Sequence, residues 1–299
     1  MAQTSPRVLI LGGTGMLGGM LWTRLSVIPG WRVRRSQRRN PGAPGYFDAL
    51  VPGDDLDALL AAEGGTDFIL NAIGLTKSEI RESDPVSEAR ADALNARLPQ
   101  RLAVAAARAG ARVIHISTDG VFSGKAGPYD ESAVPDPDDV YGRTKLAGEM
   151  ADSHVLTLRC SIVGPDPEKG RGLFEWFRRL TPGSSAKGFT DQNWNGVTTT
   201  QFANFCRVVI ASGVFDRLTA VAPVRHFCPN RPVTKLELLQ LFNAALGTGV
   251  NIVPAASGVR VDRVLISRWT DLVELVGGPT EMAAAVSAMA RDVPAFDIH

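Results

Sequence analysis

The sequence has few of the residues that mark a disulfide-bonded or metal-binding protein. Only three of its 299 residues are cysteine, at positions 160, 206 and 228, and they lie far apart. They form no C-x-x-C pair and have no histidines at ligand spacing, so we predict neither a disulfide framework nor a zinc site. We expect no metal, and a reducing, cytoplasmic location.

An excess of charge and a long apolar run are also missing. The formal net charge is +1, with 32 Lys and Arg against 31 Asp and Glu, so the composition predicts no nucleic-acid partner. The N-terminal run "RVLIL" is too short for a signal sequence or a membrane span. We therefore expect no membrane partner and predict that this run is a strand.

What is present is an alternation of strand-length apolar runs with helix-length segments. It predicts an α/β fold with a doubly wound parallel sheet. After Ile162 this alternation ends, and loops with isolated helical stretches such as "TTTQFANFCRVVIAS" follow. We predict a nucleotide-binding domain over residues 1–162. A smaller substrate-binding lobe is expected over 163–299, with some segments returning to the first core.

The first chemical motif is "GGTGMLG", which lies between the predicted strand and an amphipathic segment. Gly12, Gly15 and Gly18 have the spacing G-x-x-G-x-x-G. At a strand-to-helix turn, glycines let backbone N–H groups approach a diphosphate at the helix N-terminus. The motif indicates a Rossmann-type dinucleotide site. The alternative is a tight turn that needs glycine for its own geometry.

The second motif is the arginine-rich stretch "WRVRRSQRR". Proteins that select NAD usually place an acid at the end of the second strand, and this stretch has none. Arg38, together with Arg35 or Arg39, is suited to the 2′-phosphate of NADP. We predict that NADPH is preferred, with NAD still possible, and the alternative is a solvated basic edge.

Two further segments carry candidate catalytic side chains. In "VYGRTKLAGE", Tyr141 and Lys145 are four residues apart and share one helix face, with Cβ atoms about 5–6 Å apart. A neighbouring ammonium favours the phenolate, so we expect Lys145 to lower the pKa of Tyr141. In "HISTDGVFSG", Ser117, Thr118 and Asp119 follow a predicted buried strand, at the edge where doubly wound folds bind ligands. One alternative is that Tyr141 and Lys145 are simply polar residues of an exposed helix. The other is that the polar residues of "HISTDGVFSG" only form a turn.

These segments and their order resemble the extended short-chain dehydrogenases/reductases, and among them the dTDP-4-dehydrorhamnose reductase-like sugar-nucleotide reductases. The resemblance runs through "LILGGTGMLG", "LNAIGLT", "HISTDGVFSG", "YGRTKLAGE", "NWNGVTTTQFA" and "RPVTKLELLQLF". It implies that Thr118 binds the substrate carbonyl, Tyr141 donates a proton and Lys145 holds Tyr141 and the nicotinamide ribose. Asn95 would help to hold that lysine through water.

The resemblance and the motifs together define the expected contacts. Cofactor contacts are expected at Gly12, Thr14, Gly15, Met16, Leu17, Gly18, Arg38, Asn71, Ala72, Ile73, Asn95, Ser117, Tyr141 and Lys145. Substrate contacts are expected at Thr76, Asp119 and Gly120, and from the second lobe at Lys187, Trp194, Asn195 and Arg231.

Two positions depart from the family pattern. Gly120 stands where the typical reductase has tyrosine, which predicts a more open sugar pocket. Dehydratases of the superfamily have an Asp-Glu pair here, and the glutamate is absent. The usual motif in the second lobe contains a proline, and this sequence has "GVTT", Gly196 to Thr199, in its place.

The predicted function is NAD(P)H-dependent reduction of a keto group, at C4, of a nucleotide-diphosphate deoxy sugar, for cell-surface polysaccharide or glycoside biosynthesis. The alternatives are a sugar-nucleotide epimerase that recycles its cofactor and a non-catalytic, dinucleotide-binding regulatory subunit. The prediction leaves a homodimer open.

Overall fold

A computed structural model describes residues 5–39, 41–51 and 55–293. The predicted domain bounds, 1–162 and 163–299, include some residues outside these ranges. The strands are β1 Arg7–Leu11, β2 Arg32–Arg35, β3 Phe68–Asn71, β4 Arg112–Ile116, β5 Val155–Arg159, β6 Ile162–Val163, β7 Ser185–Phe189, β8 Gln192–Trp194, β9 Val197–Thr198, β10 Val224–His226, β11 Val233–Thr234, β12 Asn251–Ala255 and β13 Val261–Asp262.

Helices flank and connect these strands. They are α1 Met16–Leu25, α2 Leu56–Ala61, α3 Pro85–Ala91, α4 Leu98–Ala109, α5 Val140–Ala147, α6 Gly172–Arg178, α7 Thr199–Ser212, α8 Phe215–Val221, α9 Lys235–Leu246, α10 Asp271–Glu274 and α11 Met282–Ala290. A π-helical segment, Asp92–Arg97, joins α3 to α4. Such segments occur frequently at functional sites.

The main sheet has the order β10-β5-β4-β3-β1-β2, and all of its pairs are parallel. Apolar side chains cover both of its faces. One core contains Met20, Phe202 and Phe205 beneath α1 and α7, and the other contains Leu59 and Leu102 beneath α2 and α4. The predicted doubly wound fold is confirmed. The chain reverses direction across the sheet between β1 and β3, where ligands bind in such folds.

A separate apolar cluster lies in the C-terminal half of the chain. Phe174, Phe177 and Phe242 pack edge-on or tilted in its centre, with Trp194 and Met289 also buried there. β10, by contrast, returns to the main sheet beside β5. The boundary at residue 162 stays a prediction.

Candidate active site

The glycine turn connects β1 to α1 as predicted. Gly12 has a φ of +75°, which favours glycine. A Cβ on Gly18 would lie 2.1 Å from the carbonyl oxygen of Gly12, so the helix packs directly against the turn. Gly15 is the N-cap of α1, which has no side-chain cap and no acidic residue in its first turn. The positive end of the helix is therefore not neutralised by its own residues, as a diphosphate site requires.

The end of β2 lies beside this turn. Ser36 is buried, and its Oγ accepts a hydrogen bond of 3.0 Å from the N–H of Gly12. Arg35 stacks on the ring of Trp22 at 4.7 Å, and Arg39 pairs with Glu168. Arg38 is exposed and makes no hydrogen bond or ion pair with the residues that the structure describes. It is the one of these three arginines whose charge stays free for a ligand.

The loop after β3 closes over the glycine turn. A Cβ on Gly12 would lie 3.1 Å from the backbone of Ala72 and from Cγ1 of Ile73. Asn71 is buried and accepts a hydrogen bond of 3.2 Å from the N–H of Ile73. These expected cofactor contacts therefore lie together, although the amide of Asn71 serves the loop itself.

Asn95 joins that loop to α5. Its Oδ1 accepts from the N–H of Leu75 at 2.8 Å, and its Nδ2 donates to Thr144 Oγ1 at 3.2 Å. The side chain is fully buried. Asn95 thus bonds the residue beside Lys145 rather than Lys145 itself, and the water-mediated contact stays a prediction.

Thr118 begins a tight turn directly after β4. Its Oγ1 accepts from the N–H of Gly120 at 3.0 Å and lies 3.2 Å from Oδ1 of Asp119. A Cβ on Gly120 would lie 3.3 Å from both Thr118 Oγ1 and Cε1 of Tyr141. A side chain at position 120 would therefore come between the Thr118 hydroxyl and the phenol ring, and its absence lets the two approach each other.

Tyr141 and Lys145 lie in α5, as the spacing predicted. Helix α5 lies close to the turn after β4, at Thr118 to Val121, because Gly142 has no side chain. A Cβ on Gly142 would lie 2.2 Å from the carbonyl oxygen of Gly120. Asp139 caps the helix by accepting from the N–H of Gly142 at 2.7 Å. Lys145 is buried, and its Nζ donates to the carbonyl oxygen of Ile116 over 2.5 Å.

The expected effect of Lys145 on Tyr141 is wrong for this structure. Burial raises the pKa of Tyr141 to about 12, and a hydrogen bond with Thr118 opposes the rise only in part. Burial also lowers the pKa of Lys145 to about 8, against the attraction of Glu149. Loss of hydration outweighs the charge of the lysine, because the ammonium group points to Ile116.

A buried ion pair joins the end of β5 to the segment that follows α5. Arg159 donates to both carboxylate oxygens of Glu149, at 2.8 and 2.7 Å, and both side chains are buried. Ser117 donates to the same carboxylate at 2.6 Å. The Ser117 hydroxyl is thus directed to Glu149, and the expected contact of Ser117 with the cofactor stays a prediction.

The residues expected to bind the nucleotide do not form one cluster. Asn195 is buried, and its amide donates to the carbonyl of Leu265 at 2.7 Å and accepts from its N–H at 2.9 Å, which is a structural role. Arg231 is exposed and pairs with Glu281 at 3.1 Å, and Lys187 is exposed on β7. Thr76 caps a short turn on the surface. Their contacts with substrate stay predictions.

Trp194 explains the altered lobe motif. Its ring is buried against Gly196, where a Cβ would lie 2.2 Å from Cζ2 of the indole and 2.4 Å from the carbonyl oxygen of Ser161. The glycine in "GVTT" is therefore required by the packing of the tryptophan.

The sequence analysis missed two cations near the turn that follows β4. Lys235, the first residue of α9, lies over the ring of Trp194 at 4.8 Å. Arg263 donates to the carbonyl oxygen of Phe122 at 3.0 Å. Both counter the rise that burial causes in the pKa of Asp119. The signal for Lys235 was in "VTKLE", which places a lysine directly after a predicted N-cap, where a positive charge opposes the helix dipole.

The features that a dinucleotide needs are thus present at the sheet edge. The uncapped start of α1, the backbone of the loop after β3 and the free charge of Arg38 would meet the diphosphate, the nicotinamide half and a 2′-phosphate. Lys145 and Tyr141 lie farther along the same edge of the sheet, next to the end of β4. The described residues contain no group of His, Cys, Asp and Glu suited to a metal, nor a helix long and apolar enough to cross a membrane.

Fold and site together define a dinucleotide-binding protein of the short-chain dehydrogenase/reductase type. The family model described as "RmlD substrate binding domain" matches residues 6–260, and the chain belongs to this family.

Individual relatives of this chain have two kinds of name. A dTDP-4-dehydrorhamnose reductase of Mycobacterium tuberculosis (strain CDC 1551 / Oshkosh) is 47% identical over 159 residues, or 50% of this chain and 47% of that protein. In that alignment the chain spans about half the length of the relative. Methionine adenosyltransferase 2 subunit beta of Rattus norvegicus is 33% identical over 243 residues, or 78% of this chain and 70% of that protein.

A solved structure shares the fold. The dTDP-4-dehydrorhamnose reductase of Bacillus anthracis str. Ames, in complex with NADP, superimposes with a TM-score of 0.74 over 96% of this chain and 99% of that one. The two sequences are 19% identical, so this likeness concerns the fold alone.

Proposed function

We propose that this protein uses NADPH to reduce a keto group, at C4, of a nucleotide-diphosphate deoxy sugar, in polysaccharide or glycoside biosynthesis. The observation that carries the proposal is that the Thr118 hydroxyl and the Tyr141 ring both border the space left by the missing side chain of Gly120, at the sheet edge that also holds the glycine turn. Two hydroxyl groups there converge on one substrate oxygen. NADPH, when bound, supplies the hydride.

The chain's own residues would handle the proton and the developing charge. Thr118 donates a hydrogen bond to the substrate oxygen, which favours the alkoxide that forms. Tyr141 transfers its proton to that oxygen. Its pKa of about 12 keeps the phenol protonated at neutral pH, as a proton donor in reduction requires. Lys145, whose ammonium is held by Ile116, would place a positive charge one helical turn from Tyr141 and would hold the nicotinamide ribose.

The cofactor preference rests on Arg38. Its guanidinium is exposed just beyond the buried Ser36, next to the glycine turn, and no described residue pairs with it. A planar, permanent charge suits a phosphate. The Bacillus anthracis structure, which shares the fold, was solved with NADP.

The substrate class rests on the family and on the division of the chain. Two relatives, whose alignments cover 50% and 60% of this chain, are named dTDP-4-dehydrorhamnose reductases. The boundary near residue 162 would separate the cofactor domain from a lobe that binds the nucleotide part of the substrate, through Trp194 and neighbouring residues.

A second candidate is a regulatory subunit that binds a dinucleotide without turnover. It is favoured by the alignment with methionine adenosyltransferase 2 subunit beta, which covers 78% of this chain. A third, the recycling epimerase, is disfavoured by the free charge of Arg38, because such enzymes usually hold NAD.

One assay separates these three functions. Purified protein is mixed with NADPH and a panel of dTDP- and UDP-linked 4-keto sugars, and absorbance at 340 nm is followed against product. A reductase consumes NADPH in equal amount to product formed. Product with substoichiometric NADPH consumption indicates an epimerase. NADPH binding, measured by calorimetry, without turnover of any sugar supports the regulatory subunit and contradicts our proposal.

A further inference from the structure

Lys235 is in an unfavourable position for a lysine. It is the first residue of α9, after the N-cap Thr234, whose hydroxyl and Glu237 form a capping box. The N-terminus of a helix carries a partial positive charge, so an ammonium group there lowers stability. Burial lowers the pKa of Lys235 further from its usual value. The fold by itself gives no reason for a cation at this position.

The ammonium group of Lys235 also lacks an acceptor. It lies over the ring of Trp194 at 4.8 Å, yet among the described residues it makes no hydrogen bond and no ion pair. A partly buried ammonium with three donors and no acceptor is costly, since each group taken from water needs a partner. A ligand is the simplest partner.

The charge of Lys235 acts on Asp119. Asp119 is buried next to the catalytic Thr118, and Lys235 and Arg263 both oppose the burial that raises its pKa. Lys235 and Asp119 do not form a direct ion pair with each other. Arg263 uses its guanidinium on the carbonyl oxygens of Phe122 and Ser123, at 3.0 and 3.4 Å. Lys235 is therefore the cation that remains available beside Asp119.

We infer that Lys235 and Asp119 together bind a hydroxyl group of the substrate, on a carbon next to the keto carbon. A hydroxyl accepts from the ammonium and donates to the carboxylate, so one group satisfies both. A phosphate or carboxylate would meet repulsion from Asp119. The position follows from Thr118, whose Oγ1 lies 3.2 Å from Asp119 and contacts the keto oxygen in the proposed function, on which this inference rests.

The test compares two substrates and three proteins. The substrates are 4-keto sugar nucleotides that differ only in a hydroxyl or a hydrogen on the carbon next to the carbonyl. Wild type is expected to prefer the hydroxylated one in kcat/KM by roughly 10- to 150-fold, the range for a hydrogen bond to a charged group. Lys235→Met should reduce this preference to about threefold or less, while Lys235→Arg, which keeps the charge, should retain part of it.

The controls separate this inference from the proposed function. Lys125→Met removes an exposed lysine in the loop after the turn that carries Thr118 and should keep the full preference. Thermal unfolding checks that Lys235→Met is folded. An active wild type without the preference, or a folded Lys235→Met that keeps it, overturns the inference alone. A wild type that reduces neither substrate overturns the proposed function and the inference with it.

Discussion

The Nζ of Lys145 donates a hydrogen bond to the carbonyl oxygen of Ile116 over 2.5 Å. This contact joins helix α5 to the last residue of β4, just before the turn that carries Thr118. The contact fixes the ammonium group at the end of β4. A neutral Lys145 amine would still donate this hydrogen bond, although a weaker one. The charge, rather than the bond alone, is what the proposed reaction needs.

That charge should be lost at moderately alkaline pH. The pKa of Lys145 falls from 10.5 to about 8 through burial, so the ammonium becomes neutral as the pH rises through 8. We expect kcat/KM for NADPH-dependent reduction to fall above about pH 8. In Lys145→Arg, which stays charged, the decline should be absent although overall activity is lower. An identical alkaline decline in both proteins would contradict this assignment.

Stability should change in the opposite direction over the same range. Between pH 8 and 10.5 the unfolded chain keeps the proton of Lys145 and the folded chain does not, so this residue's contribution to the free energy of unfolding rises with pH. Below pH 8 both states bind the proton and the slope from Lys145 vanishes. Urea unfolding of wild type and Lys145→Met at several pH values measures the difference.

Tyr141→Phe should lose turnover and keep NADPH affinity. It removes the donated proton and leaves the ring, and general acids contribute about 10²–10⁴-fold. Tyr129→Phe is the matched control: its hydroxyl accepts from the N–H groups of Gly124 and Ala126 at 3.1 and 3.0 Å. The control should lower thermal stability while turnover falls far less. Wild-type turnover in Tyr141→Phe would remove Tyr141 as the proton donor.

Arg38→Ala should lower kcat/KM for NADPH and leave NADH almost unchanged. A guanidinium–phosphate contact is worth about 1.5–3 kcal/mol, or roughly 10- to 150-fold in preference. Arg39→Ala is the control, because Arg39 pairs with Glu168 and should affect both cofactors little. Equal losses for NADPH and NADH in Arg38→Ala would show that Arg38 acts on the shared diphosphate or the fold.

Two glycine substitutions separate binding from folding. A Cβ on Gly15 meets only the Gly12 carbonyl oxygen at 3.6 Å, an ordinary contact, so Gly15→Ala should fold normally and weaken NADPH binding by placing a methyl at the start of α1. Gly18→Ala, with its Cβ at 2.1 Å, should lower both stability and binding. Calorimetric titration with NADPH and thermal unfolding measure the two effects. Unchanged affinity in Gly15→Ala would place the diphosphate elsewhere.

Glu149→Gln should destabilise the protein by about 3–5 kcal/mol, because it leaves the buried charge of Arg159 unpaired. It should also move the alkaline decline of activity to lower pH, since Glu149 opposes the fall in the pKa of Lys145. Asp57→Asn, in the exposed pair with Arg108, is the control and should have no measurable effect on either. An unchanged pH profile in a folded Glu149→Gln would separate Glu149 from Lys145.

The sequence by itself determined the local elements and the chemistry placed on them. Glycine spacing after an apolar run predicted the turn between β1 and α1, and the spacing of Tyr141 and Lys145 predicted a shared helix face. These predictions succeeded because they depend on backbone geometry over a few residues, which residue type controls directly.

Only the tertiary structure decided which charged groups interact with each other and which are buried away from water. The pKa of Tyr141 rises through burial, and the hydroxyl of Ser117 is directed to Glu149. Arg35 stacks on Trp22 and Arg39 pairs with Glu168, while Arg38 pairs with none of the described residues. The packing of α9 holds Lys235 over Trp194, from where its charge acts on Asp119. Such relationships join residues far apart in the chain, and their energies depend on distance and hydration, which no spacing in the sequence encodes.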